Sequence, residues 1–486
     1  MTLLMLLEMI ASAFGDRLGI GTSADGLTYQ ELHDRAGTGA ELIRRHGARH
    51  LAYVGTSDEA FPTVLFASAW AGVPFIPLNY RLGAEQLRAL LGAHDDVLVV
   101  ADESAVASLE GAAATVLTVA QWNAATAELV EAQPSLTDGE DVAVLLYTSG
   151  TTAAPKAVVL RHRHLTSYVI GSVEFAGAED TDATLVSVPP YHIAGVANVL
   201  SNVYSARRLV YLPAFTPDAW LGTVQAEAIT HAMVVPTMLA RVVDSLGEGS
   251  VASTASLRSL AYGGARMPAT VLEAALRAFP NTDFVNAYGL TETSSTIAVL
   301  GPDDHRSALA GDEAARLRLG SVGRLVPGIE VAIREGEIWV RGEQVSGEYL
   351  GLGASVDAEG WFPTRDRGWV DDEGYLFIEG RSDDTIIRGG ENIAPAEIED
   401  VLLTHPAVRE CAVVGVPDDE WGQRIAAAVV CRDGVAVDPD ELREFARARL
   451  RTSKTPDLIA FRDELPHTET GKLLRRAVLA DLTKEP

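Results

Sequence analysis

The apolar positions of this chain change period along its length, and each change marks a different kind of element. Residues 1–14 are apolar apart from a single acid, Glu8, among the charged types and read as an amphipathic helix. Residues 28–46 show helical spacing behind Thr28, whose hydroxyl suits a helix N-cap. Short runs at 51–55 and 97–101 read as buried strands with helical stretches between them, and 162–173 reads as a helix. From about 180 to 290 the rhythm is strand then helix, with strands predicted at 185–188, 208–212, 232–235, 257–262 and 283–287. Thr216-Pro217-Asp218 supplies a cap, a proline at the first helical position and a first-turn acid, and Pro268 opens a further helix reaching Phe279. Such alternation predicts an α/β fold, a parallel sheet with helices on both faces. Ligands on such sheets bind beyond the carboxyl ends of the strands. Two of those ends carry Gly263-Gly264-Ala265 and Tyr288-Gly289-Leu290-Thr291-Glu292.

From about residue 318 the texture turns to short strands and glycine turns, around 320–323, 330–334 and 337–341, which predicts a small β-barrel or distorted sheet completing the large domain. The chain becomes strongly polar at 379–384, a candidate linker. The last hundred residues have an α+β pattern: a helix at 395–404, strands at 407–416 and 425–431, and a helix capped by Asp438-Pro439-Asp440-Glu441. The expected division is 1–379, a hinge at 380–384, and 385–486. At 486 residues the chain is too long for one compact core, so more than one domain is expected.

Charge and cysteine usage remove several function classes. A formal charge of −28 argues against non-specific binding to nucleic acid or an anionic membrane. Cys411 and Cys431 are the only cysteines and lie in strand-like apolar contexts, which suits small buried hydrophobes better than a disulfide or a metal cluster. No run approaches 18 uncharged apolar residues, so no membrane span is expected. The first residues lack a basic start and a small-residue cleavage site, so a cytoplasmic location is the simplest expectation.

The chemistry concentrates in one stretch. An apolar run, 142–146, ends in Thr148-Ser149-Gly150-Thr151-Thr152, then one lysine, Lys156, before a second apolar run at 158–160. Backbone N–H groups, hydroxyls and an ammonium together suit a polyanion such as a triphosphate. The spacing excludes a Walker A loop, because no Ser or Thr follows Lys156 and strand-like residues do. The other reading is a Ser/Thr-rich surface turn. Lysine is scarce: of 39 basic residues, only Lys156, Lys454, Lys472 and Lys484 are lysines. A compact ammonium on a long stem suits a phosphate or carboxylate contact, so Lys156 and the lysine of Thr470-Gly471-Lys472 stand out.

Six patches occur in a fixed order: 148–156; Pro189-Pro190-Tyr191-His192-Ile193-Ala194-Gly195; the two strand ends; Trp361-Phe362-Pro363-Thr364-Arg365-Asp366-Arg367-Gly368 with Gly380-Arg381-Ser382-Asp383-Asp384; and Thr470-Gly471-Lys472. Together they resemble the adenylate-forming superfamily of acyl-CoA synthetases, luciferase-like ligases and peptide-synthetase adenylation domains, collinearly from about residue 28 to 480. The resemblance implies a large domain of doubly wound mixed sheets and a small, mobile α+β domain. It also implies an acid–CoA ligase that uses ATP, Mg²⁺ and coenzyme A on a fatty or aryl acid. Thr148, Ser149, Gly150, Thr151, Thr152 and Lys156 would cradle the β- and γ-phosphates. Glu292 would hold Mg²⁺ as a hard oxygen ligand, with Thr151 as a second. Gly264, Ala265, Tyr288, Gly289 and Thr291 would line the nucleotide, with Tyr288 offering adenine an aromatic face. Asp366 and Arg381 resemble the ribose contacts, a carboxylate being able to accept from both hydroxyls of a diol. Lys472 resembles the lysine that reaches substrate carboxylate and α-phosphate, and His192 a gate between acid and thiol. Asp383 occupies the family's hinge position, and Gly389 and Gly390 belong to the loop that approaches the pantetheine arm. Each has a structural alternative: a solvated glutamate, a core tyrosine, an Asp366 or Arg381 ion pair, a tail lysine, a structural histidine.

The chain departs from the family pattern at three places. Ala153 and Ala157 stand where the loop has glycines, and alanine would cost about 1 kcal/mol wherever φ is positive. Arg365 stands where the aspartate motif has glycine. It could pair with Asp366 and compete with ribose, or serve as an extra phosphate or CoA contact. The expected acid pocket lies among 191–196, 234–238 and 263–264. Its lining is apolar, without an evident cation for a second charged group. Loading of a carrier protein, specialisation for one half-reaction, and a non-catalytic nucleotide-binding relative are the competing readings. Carboxylic acid and CoA are the expected partners, without nucleic acid.

Overall fold

The computed structural model describes residues 1–148, 155–247, 249–418, 420–432, 434–468 and 473–484, without the side chain of Asn392. Ser149, Gly150, Thr151, Thr152, Ala153 and Lys472 therefore lie outside the described residues.

Two large sheets organise the chain up to about residue 354. One runs in the order Arg324–Leu325, Ser295–Leu300, Asp283–Leu290, Ser259–Gly263, His231–Val234, Ala183–Val186, Arg208–Tyr211, Leu18–Gly21, Gly26–Thr28. Its centre, from Asp283–Leu290 through Arg208–Tyr211, is parallel as the alternation predicts. The outer pairs Asp283–Leu290 with Ser295–Leu300 and Leu18–Gly21 with Gly26–Thr28 are antiparallel, so the sheet is mixed. The other runs Gly353–Ala354, Glu348–Tyr349, Lys156–Arg161, Val142–Thr148, Phe75–Pro77, His50–Val54, Val97–Ala101, Ala114–Thr118. Several predicted strands begin or end a residue or two away from those found, such as Ala183–Val186 against 185–188. A strand covered on both faces is a continuous apolar run, which leaves its ends unmarked by any alternation.

One apolar cluster fills the space between the two sheets. It includes Ile20, Val186 and Leu209 from the first sheet and Leu51, Phe75, Leu98 and Val144 from the second. The helix Ala60–Ala71 is buried along its whole length, which is why its sequence is apolar all round rather than amphipathic. The helix Leu3–Phe14 buries Leu3, Leu6, Leu7 and Ile10 in the same cluster, each worth about 2 kcal/mol against exposure. The helix Tyr29–Arg45 starts at a full capping box, Thr28 with Glu31.

The short strands that follow form an open antiparallel sheet, Glu330–Arg334, Glu337–Arg341, Phe362–Val370 and Leu376–Arg381. This is the distorted-sheet alternative. Residues 379–381 of the expected linker belong to its last strand, because Asp366 pairs with Arg381 and draws the polar stretch into the ladder. A short 3₁₀ turn, Ser382–Asp384, follows.

Beyond it, a three-stranded sheet (Val408–Asp418, Gly422–Cys431, Leu458–Phe461) carries apolar clusters of its own on both faces. Val413 faces one with Ile398 and Leu442, and Val414 the other with Val478 and Leu482, the alternation expected of a strand. The helix Arg475–Leu482 is tied down by Arg475, whose Nη2 lies 2.8 Å from Glu399 Oε2. Glu399 is itself buried and accepts from the Val413 N–H at 2.7 Å. Cys411 and Cys431 are free thiols. Among the described residues, no helix is long and apolar enough to cross a membrane.

Gly289 shows how tightly the strand ends are closed. A Cβ there would lie 1.7 Å from the Ser295 carbonyl oxygen, across the irregular pairing of these two strands. Gly289→Ala is expected to destabilise the protein by about 2–3 kcal/mol, visible as a lowered melting temperature with unchanged secondary structure at 25 °C.

Candidate active site

The order of strands in the nine-stranded sheet, rather than their order in the chain, assembles the site. Asp283–Leu290, Ser259–Gly263, His231–Val234 and Ala183–Val186 are successive neighbours and parallel, so their carboxyl ends lie side by side. Those ends carry Tyr288 to Glu292, Gly264 and Ala265, Val235 to Met238, and Tyr191 with His192. Three of the six patches read from the sequence lie at these ends, and Lys156 of the first and Asp366 of the fifth meet them through Tyr349 and Tyr288.

Asp366 sits at the centre of one polar cluster. It is almost buried, with 5% of its surface exposed. The Tyr288 hydroxyl donates to its Oδ2 at 2.6 Å, and Arg381 Nη1 lies 3.2 Å from its Oδ1. Arg381 is its partner in the strand ladder, so the ion pair is built by register. The structure thus gives Asp366 and Arg381 the ion pair that was the alternative to ribose binding. Two oxygens with about four acceptor positions leave capacity for a diol as well. Burial and the Asp366 carboxylate both push the Tyr288 phenol upward, so it remains a protonated donor.

Glu292 anchors a second cluster. It follows the strand Asp283–Leu290 in a single 3₁₀ turn, Thr291–Thr293. Its carboxylate Oε1 accepts from the Tyr349 hydroxyl at 2.8 Å, and Lys156 Nζ lies 5.6 Å from the Tyr349 ring centroid. Burial and the neighbouring Glu292 raise the Tyr349 phenol, while the charges of Arg365 and Arg381 act the other way. Lys156 begins the strand Lys156–Arg161, paired with Thr148, whose Oγ1 donates to the Lys156 carbonyl at 3.4 Å. Thr148 and Lys156 hold the two ends of the hydroxyl-rich loop together.

Tyr349 is the residue that the sequence analysis passes over. Its signal is slight, an aromatic between Gly347 and Gly351 in a polar stretch. The Ser346 N–H donates to the Glu292 carbonyl at 2.8 Å, and the Leu350 N–H to the Ala157 carbonyl at 2.9 Å. One short segment thereby joins Glu292 to the hairpin that carries Lys156. Ser294 and Ser295, directly behind Glu292, have φ of 55° and 104°, conformations that serine rarely adopts.

Gly264 has φ of 81°, which explains the glycine, and it is exposed beside Val235. Arg266, two residues on, makes an ion pair with Asp400 of the helix Pro395–Leu403. His192 is the N-cap residue of the helix Ile193–Tyr204, its ring 4.6 Å from that of Tyr191, which in turn meets Tyr80 edge-on at 5.9 Å.

The remaining candidates are held within the C-terminal unit. Gly389 and Gly390 form the turn between Ile386–Arg388 and Glu391–Ile393, with φ of 57° and 85°. Their surroundings are Trp421, Gln423 and Asp457, so among the described residues this turn does not join the Glu292 cluster. Asp383 is exposed in the 3₁₀ turn. The base of the loop containing Lys472 is fixed by a bridge between His467 and Leu473 and by the Leu474 N–H on the Pro466 carbonyl at 2.8 Å. His467 Nε2 lies 2.6 Å from Glu410 Oε1, and this hydrogen bond raises the histidine above its usual range.

Two departures from the family pattern resolve differently. Ala157 lies in the strand ladder opposite Tyr147 and is not among the residues with positive φ, so the expected backbone cost at that position does not arise. Arg365 does take a left-handed conformation, φ 61°, and Asp366 has its ion pair from Arg381 instead.

Comparison with known proteins identifies relatives over nearly the whole chain. The family model described as AMP-binding enzyme matches residues 8–350, and the model of the AMP-binding enzyme C-terminal domain matches 397–472. A feruloyl-CoA synthase of Amycolatopsis sp is 36% identical over 466 residues, 93% of each chain. The ATP-bound structure of MatB from Rhodopseudomonas palustris superposes with a TM-score of 0.89 at 26% identity, covering 100% of this chain and 99% of that one. The o-succinylbenzoate coenzyme A synthetase of Bacillus subtilis, in complex with ATP and magnesium ion, gives 0.84 at 27% identity, covering 98% and 99%.

Two consequences of the geometry can be measured. Tyr349→Phe removes the hydroxyl that positions Glu292 while keeping the ring under Lys156. It is expected to weaken Mg²⁺-dependent nucleotide binding by about ten-fold with a melting temperature within 2 °C of the parent. The His467–Glu410 pair is complete below the ordinary histidine range and is lost as pH rises through the raised value. Amide exchange at Leu473 and Leu474 should accordingly quicken as pH rises through neutrality, beyond the intrinsic rate, and Glu410→Gln should abolish that added pH dependence.

Proposed function

We propose a substrate class and a division of labour for this chain, which belongs to the AMP-binding enzyme family. It is an AMP-forming acid–CoA ligase. The carboxylate attacks the α-phosphate of ATP, giving an acyl-adenylate and pyrophosphate; the CoA thiol then attacks the acyl carbon, giving the thioester and AMP. ATP, Mg²⁺ and CoA are its cofactors, and a carboxylic acid and CoA its partners.

The observation that carries the residue assignment is the adjacency of the Glu292–Tyr349–Lys156 cluster to the Tyr288–Asp366–Arg381 cluster at one sheet edge. Lys156 with 148–152 takes the β- and γ-phosphates. Asp366 and Arg381 take the ribose, and Gly264, Ala265 and Tyr288 the base, with Gly289 and Thr291 shaping the strand end. Glu292, with Thr151, would hold Mg²⁺, which screens the phosphate charge when bound. A lone carboxylate suits an ion completed by phosphate oxygens and water, and among the described residues no group of three or more His, Cys, Asp or Glu competes for it. Lys472 reaches the reacting carboxylate and α-phosphate, and His192 separates acid from thiol. Residues 1–379 and 385–486 act as two bodies about Asp383, so that Lys472 leaves and Gly389-Gly390 approaches the pantetheine arm between half-reactions. Separate apolar clusters in the two parts support this division.

The acid is an aryl acid of the hydroxycinnamate kind. Support comes from the feruloyl-CoA synthase relative and from the aromatic and apolar character of Tyr80, Tyr191, Val235 and Met238 in and beside the stretches expected to hold the acid. A cytoplasmic location follows, where ATP and CoA are supplied.

Pyrophosphate exchange with ferulate, o-succinylbenzoate, malonate and octanoate, followed by CoA consumption, tests the substrate. Ferulate is expected to exceed octanoate by about ten-fold or more in kcat/KM, and the reverse order would overturn the aryl assignment. Lys472→Ala is expected to lower exchange by about 100-fold or more while thioester formation from supplied acyl-adenylate stays within a few-fold. Equal loss in both half-reactions would overturn the two-orientation account.

A further inference from the structure

We propose that Arg161 is a positioning residue for the nucleotide site. Its guanidinium, clamped on Glu348, sets the register of a two-residue strand and so holds Tyr349 on Glu292. The proposal rests on the reading of the Glu292–Tyr349–Lys156 cluster as the Mg²⁺ and phosphate end of that site.

Tyr349 makes two contacts in that cluster, on Glu292 and under Lys156, yet its own strand holds it weakly. The strand Glu348–Tyr349 meets Lys156–Arg161 at a single paired position, Tyr349 opposite Val158. One further backbone bond joins them, from the Leu350 N–H to the Ala157 carbonyl at 2.9 Å. Its other neighbour, Gly353–Ala354, is the return of its own hairpin and shifts with it. Gly347 and Gly351 lie on either side with φ of 57° and 74°, and the bonds made by Ser346 lie beyond Gly347. Register is weakly specified in so short a strand between glycines, and a slip of one residue would exchange the faces of Glu348 and Tyr349. The hydroxyl would then leave Glu292.

The clamp sits on the other face of the sheet from the site. Val158 and Leu160 pack into one apolar cluster and Val159 into another, so the strand Lys156–Arg161 alternates regularly. Lys156 shares the face of Val158, where the Tyr349 ring lies, and Arg161 shares the face of Val159. There Arg161 Nη2 donates to Glu348 Oε1 at 2.9 Å and Oε2 at 2.8 Å, and Nε donates to Oε2 at 3.1 Å. Such a fork fixes direction as well as charge, and both side chains are partly buried, 25% and 29% exposed. Arg161 is itself held: its N–H donates to His164 Nδ1 at 3.1 Å and its Nη1 to the Glu140 carbonyl. Arg163 repeats the arrangement, with Nε 2.8 Å from Glu140 Oε1 and Nη1 3.6 Å from Glu343 Oε2. Both acids of 343–350 are thus paired to arginines anchored on Glu140, a network rather than an isolated surface pair. Along its strand Arg161 is about 17 Å from Lys156, so it acts through Tyr349 and not on the ligand.

Calorimetric affinities for ATP with Mg²⁺, and for AMP without it, test this in variants of the full chain. Arg161→Gln and Glu348→Gln are each expected to weaken ATP binding about five-fold, and Arg161→Lys, which keeps the charge without the fork, about two-fold. AMP lacks the phosphates that meet this cluster and should bind within about two-fold of the parent throughout. In a Tyr349→Phe background the same changes should add less than about two-fold, because the hydroxyl they hold in place is gone. Without nucleotide, amide exchange at Leu350 should quicken by about ten-fold in Arg161→Gln and keep the parent rate in Tyr349→Phe. Losses that multiply in the double variants would overturn the proposal, as would equal losses for ATP and AMP or an unchanged exchange rate at Leu350. Were Tyr349→Phe alone to leave ATP binding unchanged, the reading of the Glu292 cluster would fall, and the proposal with it.

Discussion

The segment 344–350 fastens two sheets together beside Glu292 and Lys156. Gln344 Nε2 donates to the carbonyls of Thr293 and Thr296 at 3.0 and 2.8 Å, and Ser294 Oγ donates back to the Gln344 carbonyl at 2.8 Å. Ser346 holds the Glu292 carbonyl through its N–H and the Val159 carbonyl through its hydroxyl. Tyr349 then enters the ladder opposite Val158 and places its own hydroxyl on Glu292. A buried carbonyl that loses such a partner costs about 1–3 kcal/mol. Hence Glu292 and Lys156, which come from different sheets, are tied together by one segment whose backbone and buried polar side chains both bond to carbonyls on the two sides. Were the segment displaced, Glu292 and Lys156 would move independently.

Around this fastening the protein keeps unfavourable backbone conformations. Ser294, Ser295 and Arg365 all have positive φ, and all three flank acidic groups assigned to the nucleotide. Strain of this kind persists only where surrounding contacts over-determine it, and here those contacts are Gln344, Ser346, Thr364 and Glu337. The electrostatic arrangement has the same economy. Tyr288 and Tyr349 are pushed toward the neutral form by burial and by the carboxylates they serve, so each remains a donor.

The C-terminal unit is organised for attachment of one loop. Glu399, Arg475, the His467–Leu473 bridge and the Glu410–His467 pair hold both ends of the stretch that contains Lys472. The unit has its own apolar clusters, and one of its contacts with the preceding part is the exposed Arg266–Asp400 pair, of the kind worth little in water.

Local sequence determined a great deal here. Helix starts at Thr28, Thr216 and Asp438 were legible because capping is a property of three or four adjacent residues. The family resemblance, the order of the six patches and the carboxyl-end placement of Tyr288, Glu292 and Gly264 were legible too, since a parallel sheet puts its loops on one edge. Tertiary structure alone decided which patches meet. Asp366 and Arg381 are fifteen positions apart in the chain and face each other only through strand register, and Glu292 meets Lys156 only through Tyr349. It also separated two substitutions that look alike in the sequence. Ala157 lies in an ordinary strand, whereas Arg365 carries a left-handed backbone. The backbone angle that a position must adopt is imposed by the strands packed around it, and no residue type announces it in advance.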